Sequence, residues 1–345
     1  MPATETAPHI PNEPTPRPRS LTLSKKIFGV ACTAALLALV VLAIRRSPAE
    51  VFSFLRDAQP AYLAAGFLLN VLAFGVRAFR FNLLLPPADR IPLATAWSLS
   101  GATTFLLQVM PFRSGDLASW VSIRAALGAS WARSAAVFAL VKLLDTATLL
   151  LAGLAGAAWL LFSRRTHVLG LSAGALVFVG AGLLLALPFA GGRLLASLVP
   201  RLPAGGRRHA IAREVAEGLS VAREEPGAYA LAAAAASAFL ALHVPALWLT
   251  ARGLGLSIHP ATLAVALFTS IATAAVLPSP AGTFGPYESG FAAAVALDGI
   301  PLARGAILGG CLHLLTTLAA FLTGLPFLLS HLSRLRENRS RRNAA

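Results

Sequence analysis

The sequence predicts an all-α polytopic membrane protein, an inverted repeat of about six full spans plus two re-entrant helical hairpins. Three observations carry this prediction. Apolar residues make up 57% of the 345-residue chain and charged residues only 12%, where a soluble domain carries about a quarter charged residues. Runs almost free of charge recur, most of them close to or above the ~20 residues that cross ~30 Å of hydrocarbon. Finally, Lys and Arg concentrate on one side of the membrane only if two of those runs turn back.

Taken in order, residues 1–24, rich in Pro and Thr, read as a disordered tail. Lys25 and Lys26 precede the run Ile27–Ile44. It is long for a signal-peptide core and follows a polar tail, so it reads as an uncleaved first span. Pro60–Val76 is the second span, 91–110 enters and turns back, and Ser134–Phe162 closes a first half of about 25–162. The second half, about 167–335, repeats the order with Val168–Ala190, Ala228–Thr250, a hairpin from 258–278, and Pro301–Ser330. Residues 25–335 thus form a single transmembrane domain, followed by a basic C-terminal tail, 336–345. Between the halves, Ile211, Val215, Leu219 and Ala222 make an apolar stripe among Arg208, Arg213, Glu214 and Arg223. That pattern fits an interfacial helix on the anionic cytoplasmic leaflet.

Charge arbitrates the topology. If every run crossed fully, eight spans would leave 15 Lys/Arg inside and 13 outside, no bias at all. If 91–110 and 258–278 turn back, the inside holds four in the N-terminal tail, six in 77–133, six in 190–226 and five in the C-terminal tail. That is 21 against 7 outside, with Lys142 within a span. Both termini are then cytoplasmic, in the cell (inner) membrane. The net charge of +15 is used in this way and forms no single basic face, so nucleic acid is not an expected partner. Cys32 and Cys311 lie inside spans and offer no disulfide framework.

The two hairpin tips look like copies of one unit. VMPFRSGD and VLPSPAGTFGPYE share Pro-x-x-x-Gly (Pro111/Gly115 and Pro278/Gly282), each followed by an acidic residue, Asp116 and Glu288. Downstream, LGASWARSAA matches DGIPLARGAI through Gly128/Gly299, Ala132/Ala303, Arg133/Arg304 and Ala135/Ala306. The structural residues of the tips are Pro111, Gly115, Pro278 and Pro280, which break the helix. Irregular backbone at membrane depth is tolerated only when buried in protein or lining a wet cavity, and broken helices of inverted repeats make transporter binding sites. The two tips are therefore expected to meet and to flank one site.

RAFRFNLLL (77–85), MPFRSGDLASW (110–120), LVKLLDTATLL (140–150) and LPSPAGTFGPYESG (277–290) resemble the flippase-like family that includes the membrane region of lysylphosphatidylglycerol synthase. The resemblance covers roughly Lys25 to Arg336, with four motifs in order. It places the family's Arg-x-x-Arg on Arg77 and Arg80, and its first tip on Pro111, Arg113, Gly115 and Asp116. Its charged span falls on Lys142 and Asp145, and its second tip on Pro278, Ala281, Gly282, Gly285 and Glu288. Asp116 stands for the family's Glu, Val141–Lys142 for Glu-Arg, and Ala281 for Gly. The family's soluble aminoacyltransferase domain has no counterpart here, so the resemblance implies no lysyl-lipid synthesis by that domain.

The resulting candidates for binding an anionic lipid headgroup are Arg77, Arg80, Arg113, Asp116, Lys142, Asp145, Gly282, Gly285 and Glu288. Lys142 and Asp145 lie about 12–17 Å along their run at 1.5 Å per residue. At i,i+3 they are expected to pair, either as a neutral packing pin or as a polar cavity lining. Arg77 and Arg80 would snorkel or hold a phosphate. Arg113 sits inside a tip motif and is favoured as functional, while Asp116 and Glu288 would also serve as simple helix caps. His243 and His313 lie within spans, either packed or lining the cavity. No histidine has metal-ligand spacing, no phosphate-binding Gly-x-x-x-x-Gly-Lys loop occurs, and neither metal nor cofactor is expected. The leading expectation is a flippase-like transporter moving a phospholipid or polyprenyl-phosphate-type lipid between leaflets. The alternatives are a scaffold presenting lipid to a partner enzyme, and a membrane-embedded transferase, which lacks a visible nucleophile. A homo-oligomer is compatible with each.

Overall fold

The computed structural model describes residues 56–163, 186, 193–194, 197, 199–201, 206–219, 224–277 and 279–344. The expected N-terminal tail, the run Ile27–Ile44, the run Val168–Ala190 apart from residue 186, Ala222 and Arg223 of the apolar stripe, and Pro278 lie outside the described residues. Among the described residues there are nine α-helices and no strand. They are α1 (Pro60–Leu83), α2 (Leu93–Val109), α3 (Ser114–Leu127), α4 (Trp131–Ser163), α5 (Arg207–Leu219), α6 (Pro226–Gly253), α7 (Pro260–Val276), α8 (Pro286–Val295) and α9 (Leu302–Ala344). The chain is an integral membrane protein. Helices α1, α4, α6 and the Leu302–His331 part of α9 are each long and apolar enough to cross a bilayer. Helix α9 continues to Ala344, so the expected basic tail is helical in its backbone.

Helix lengths follow from local chemistry. Proline occupies the first turn of α1, α6, α7 and α8, where its missing N–H costs no hydrogen bond. The His259 side chain accepts the Ala261 N–H at 3.1 Å and caps α7. Helix α3 ends at Gly128 in the left-handed region, a common helix stop. Helices α2 and α7 have 17 residues each, about 25 Å at 1.5 Å per residue and short of a full crossing. Each is followed by a break and then a second short helix, α3 or α8.

Lipid tails are as apolar as leucine, so packing between these helices depends on close approach rather than on burial from water. Glycines mark the closest crossings. A Cβ on Gly66 would lie 2.9 Å from the Ala246 carbonyl oxygen, holding α1 against α6. The corresponding distances are 2.8 Å from Gly101 to Ala320 O (α2 on α9) and 2.6 Å from Gly156 to Ala261 O (α4 on α7). Leu314, Leu318 and Leu322 stand exposed along one stripe of α9, as expected of a lipid-facing surface.

Helix neighbours have a regular order. Helix α1 packs on α6, α2 on α9, and α7 on α4, while α2 pairs with α3 and α7 with α8. Exchanging α1–α4 for α6–α9 turns α2–α9 into α7–α4 and α2–α3 into α7–α8, and leaves the α1–α6 pairing as it is. Two cores result. One gathers Leu84, Leu85, Leu99, Ile123, Leu140 and Leu144, and the other Leu247, Leu263, Leu267, Phe291, Leu308 and Leu312. Helix α5, which carries Ile211, Val215 and Leu219, lies against α4, and Ser130 Oγ donates to Glu214 Oε2 at 2.6 Å.

Candidate functional site

The two breaks meet. The first runs through Met110–Arg113 as a 3₁₀ turn in which Phe112 and Arg113 adopt φ values of 52° and 61°. The second runs from Leu277 to Gly285, with Gly282 and Gly285 at φ 71° and 92°. The Phe112 N–H donates to the Ser279 carbonyl at 2.8 Å, and the Thr283 N–H donates to the Gln108 carbonyl at 2.9 Å. Each tip thus satisfies backbone groups that the other's helix break leaves open. At Gly282 both the positive φ and the space require glycine, because an added Cβ would overlap the Gln108 carbonyl.

Charges converge beside this contact. Arg77 Nη2 lies 3.1 Å from Asp145 Oδ2, and Arg80 Nη2 lies 2.5 Å from Asp145 Oδ1. The Arg80 contact is an ion pair without hydrogen-bond angles, and Arg80 Nε and Nη1 have no hydrogen-bond partner either. Arg77 Nη1 also donates to Thr104 Oγ1 at 2.6 Å. The expected Lys142–Asp145 pair is therefore corrected. Both Asp145 oxygens face guanidinium groups from α1, and Lys142 turns to Asp116 Oδ1 on α3 at 3.0 Å. The snorkelling account of Arg80 is corrected too, since its side chain is 1% exposed within the packed helices. Asp145 thus has one charge-assisted hydrogen bond, from Arg77, and a second cation, Arg80, against its other oxygen.

Asp116 does not act as a simple cap. Its second oxygen accepts from Arg113 Nη2 at 3.3 Å, and Arg113 Nη1 crosses to the Ala275 carbonyl near the end of α7. A cation at a helix C-terminus satisfies a free carbonyl and suits the dipole. Glu288 does cap: its Oε2 accepts the Gly285 N–H at 2.6 Å at the start of α8. Its other oxygen faces His313 Nδ1 at 2.7 Å.

A cavity of about 340 Å³ lies among these groups. Of the residues expected to bind ligand, it brings together Arg77, Arg113, Asp116, Lys142, Asp145 and Gly282. Arg80 borders a separate space of about 30 Å³ next to Arg77 and Lys142. Gly285 and Glu288 stand behind the wall, reaching the cavity through His313, which lines it. Of the structural prolines, Pro111 starts the 3₁₀ turn and Pro280 lies within the second break, while Gly115 of the same motif packs against the Leu106 carbonyl and Leu107. Residues that sequence reasoning passed over are Asn70, Thr104, Gln108 and Thr283, all lining the cavity. Gln108 carried a signal, an amide one turn before Pro111 in an apolar run. No group of three or more metal-ligating side chains occurs among the described residues.

The arrangement can hold an anion. Counting Arg80, four cations surround two carboxylates, so the cluster carries surplus positive charge in a setting where charge is costly. One family model matches the chain, over residues 26–324, and its description is "Lysylphosphatidylglycerol synthase TM region". No curated protein and no solved structure matches.

Proposed function

Because the chain belongs to the family of the lysylphosphatidylglycerol synthase transmembrane region, a family tied to membrane lipids, we propose that it carries an anionic lipid between leaflets. The observation that supports this most directly is the surplus of cations around a cavity closed by two broken helices. A volume of about 340 Å³ lies within the ~300–1,000 Å³ range of small-molecule sites. It suits a phosphate headgroup whose acyl chains stay in the bilayer. Arg77, Lys142 and Arg113 are the phosphate-binding groups in this proposal, and Asp145 holds Arg77 in place. Arg80 adds positive potential from beneath.

The transport reading includes a membrane arrangement. The segments α2–α3 and α7–α8 are re-entrant hairpins entering from opposite faces of an inverted repeat. The sub-span lengths of α2 and α7, the exchange symmetry of the helix neighbours and the Lys/Arg distribution support it. Both termini and α5 are then cytoplasmic in the inner membrane.

The test is lipid movement by the purified protein in proteoliposomes. A fluorescent phosphatidylglycerol should become accessible to a membrane-impermeant quencher faster than a zwitterionic analogue. Arg77→Gln should cut that rate by about tenfold or more, the loss of one charge-assisted hydrogen bond. Equal rates for empty and protein-containing vesicles would overturn the proposal.

A further inference from the structure

We propose that Glu288 and His313 form a proton-binding site, and that its occupancy sets the contact between the two tips through the Thr283 hydroxyl, coupling transport to a proton gradient. The coupling clause rests on the lipid-transport reading above; the proton site itself does not.

The geometry is a chain of three hydrogen bonds. Glu288 Oε1 lies 2.7 Å from His313 Nδ1, and His313 Nε2 lies 3.0 Å from Thr283 Oγ1. Thr283 Oγ1 lies 3.2 Å from the Gln108 carbonyl, across the junction between the tips. The imidazole is held in this orientation, stacked on Phe284 at 4.1 Å and against Tyr287 at 4.5 Å. The other oxygen of Glu288 is committed to the Gly285 N–H. His313 lines the cavity while Glu288 does not, so protons reach the carboxylate by way of the ring.

Counting hydrogens shows what one proton does. Each contact needs one hydrogen, and the Gln108 carbonyl can only accept. With the proton bound, one hydrogen lies between Glu288 and Nδ1, Nε2–H donates to Thr283, and the Thr283 hydroxyl donates to Gln108. Three contacts are satisfied by three hydrogens, whether the pair is written as imidazolium–carboxylate or as neutral imidazole and carboxylic acid. When the proton leaves to cavity water, the remaining ring hydrogen stays on Nδ1, where it faces a carboxylate and bonds most strongly. Nε2 becomes an acceptor, and the Thr283 hydroxyl turns to it. The Gln108 carbonyl then keeps only the Thr283 N–H. Deprotonation therefore removes one of the links that join the tips.

The surroundings contain the charges needed to shift this equilibrium with substrate. From the other elements, the cavity presents Arg77 on α1, Arg113 and Asp116 at the first tip and α3, Lys142 and Asp145 on α4, and His243 on α6. Helix α8 adds Tyr287, and Cys311 lies two residues before His313 on α9; α2 and α7 carry no ionisable side chain. An anionic headgroup seated among these cations changes the charge that faces His313 across the cavity. Lipid and proton then bind cooperatively.

Two measurements on the full-length protein test the proposal. In a background with Cys32 and Cys311 replaced by Ser, Met110→Cys reports opening of the tip junction to a water-soluble thiol reagent. Between pH 5 and 9 its labelling should rise about fivefold more than in the same protein carrying Glu288→Gln, the population change given by one net hydrogen bond. Glu288→Gln reproduces the proton-loaded pattern, with its amide N–H donating to Nδ1, and should stay closed at every pH. His313→Phe keeps the ring packing but removes both nitrogens, so the Thr283 hydroxyl has no competing acceptor and keeps donating to the Gln108 carbonyl; this variant too should stay closed at every pH. Identical pH profiles in all three proteins would overturn the proton site.

The second measurement is fluorescent phosphatidylglycerol movement in proteoliposomes under inward or outward pH gradients, with a pH-sensitive dye inside. Lipid flux that reverses preference with the gradient, and loses this response in Glu288→Gln, supports coupling. Flux indifferent to the gradient overturns coupling and leaves lipid transport standing. A pH-dependent junction with no lipid flux overturns the transport reading and retains the proton site.

Discussion

The two helix breaks solve one problem by different means. The first, Met110–Arg113, is tight and has no glycine within it, so two side-chain-bearing residues adopt the left-handed region, at about 1–2 kcal/mol each. Its charged residue, Arg113, is 52% exposed and reaches across to the Ala275 carbonyl near the end of α7. The second, Leu277–Gly285, is longer and places glycines at the positive-φ positions, and its acidic residue is turned inward to cap α8 and meet His313. The comparison teaches a division of labour. A strained tip presents charge to the cavity, while a relaxed tip buries a titratable pair beneath it.

The largest effect should come from attacking the junction itself. Gly282→Val introduces a Cβ into the Gln108 carbonyl at a positive φ. It should destabilise the protein by roughly 3 kcal/mol or more, read as a lowered thermal midpoint in detergent with loss of transport. Arg113 should separate the two roles of the first tip. Arg113→Ala should slow lipid movement by about tenfold while changing stability by less than about 1 kcal/mol. Arg113→Gly should lose as much transport but be more stable than Arg113→Ala, by about 1 kcal/mol, because glycine relieves the backbone strain. Equal stability of the two variants would break the contrast between strained and relaxed tips.

The smallest effect is a coupling energy. Lys142 and Asp116 form a partly exposed pair, so a double-mutant cycle with Ala should give about 0.5–1 kcal/mol. The cycle for Lys142 and Asp145 should give less, since Asp145 is engaged by Arg77 and Arg80. A larger value for the second cycle would restore the same-helix pair and break the link between α3 and α4.

The correction at Asp145 shows where sequence reasoning stops. Spacing of i,i+3 on one helix is visible in the chain, and it nominated Lys142. The carboxylate instead had three cations within reach, two of them on a helix about 65 residues earlier. Which one wins depends on how α1 and α4 are brought together. Likewise Glu288 and His313 are 25 residues apart on different helices, with no local pattern to connect them.

Sequence alone determined the bilayer as solvent, because hydropathy is a sum over local composition, and it determined where helices break, because proline and glycine act on their own backbone. It also placed basic and acidic residues inside apolar runs, which nominated Arg77, Arg113, Asp116, Lys142 and Asp145, five of the residues that line the cavity. Tertiary structure decided the partners: Asp145 with two arginines, Lys142 with Asp116, and Glu288 with His313. It decided as well that the two breaks complete each other's backbone hydrogen bonds. These are contacts between distant segments, fixed by close packing at a few glycines and by the need of every buried polar group for a partner.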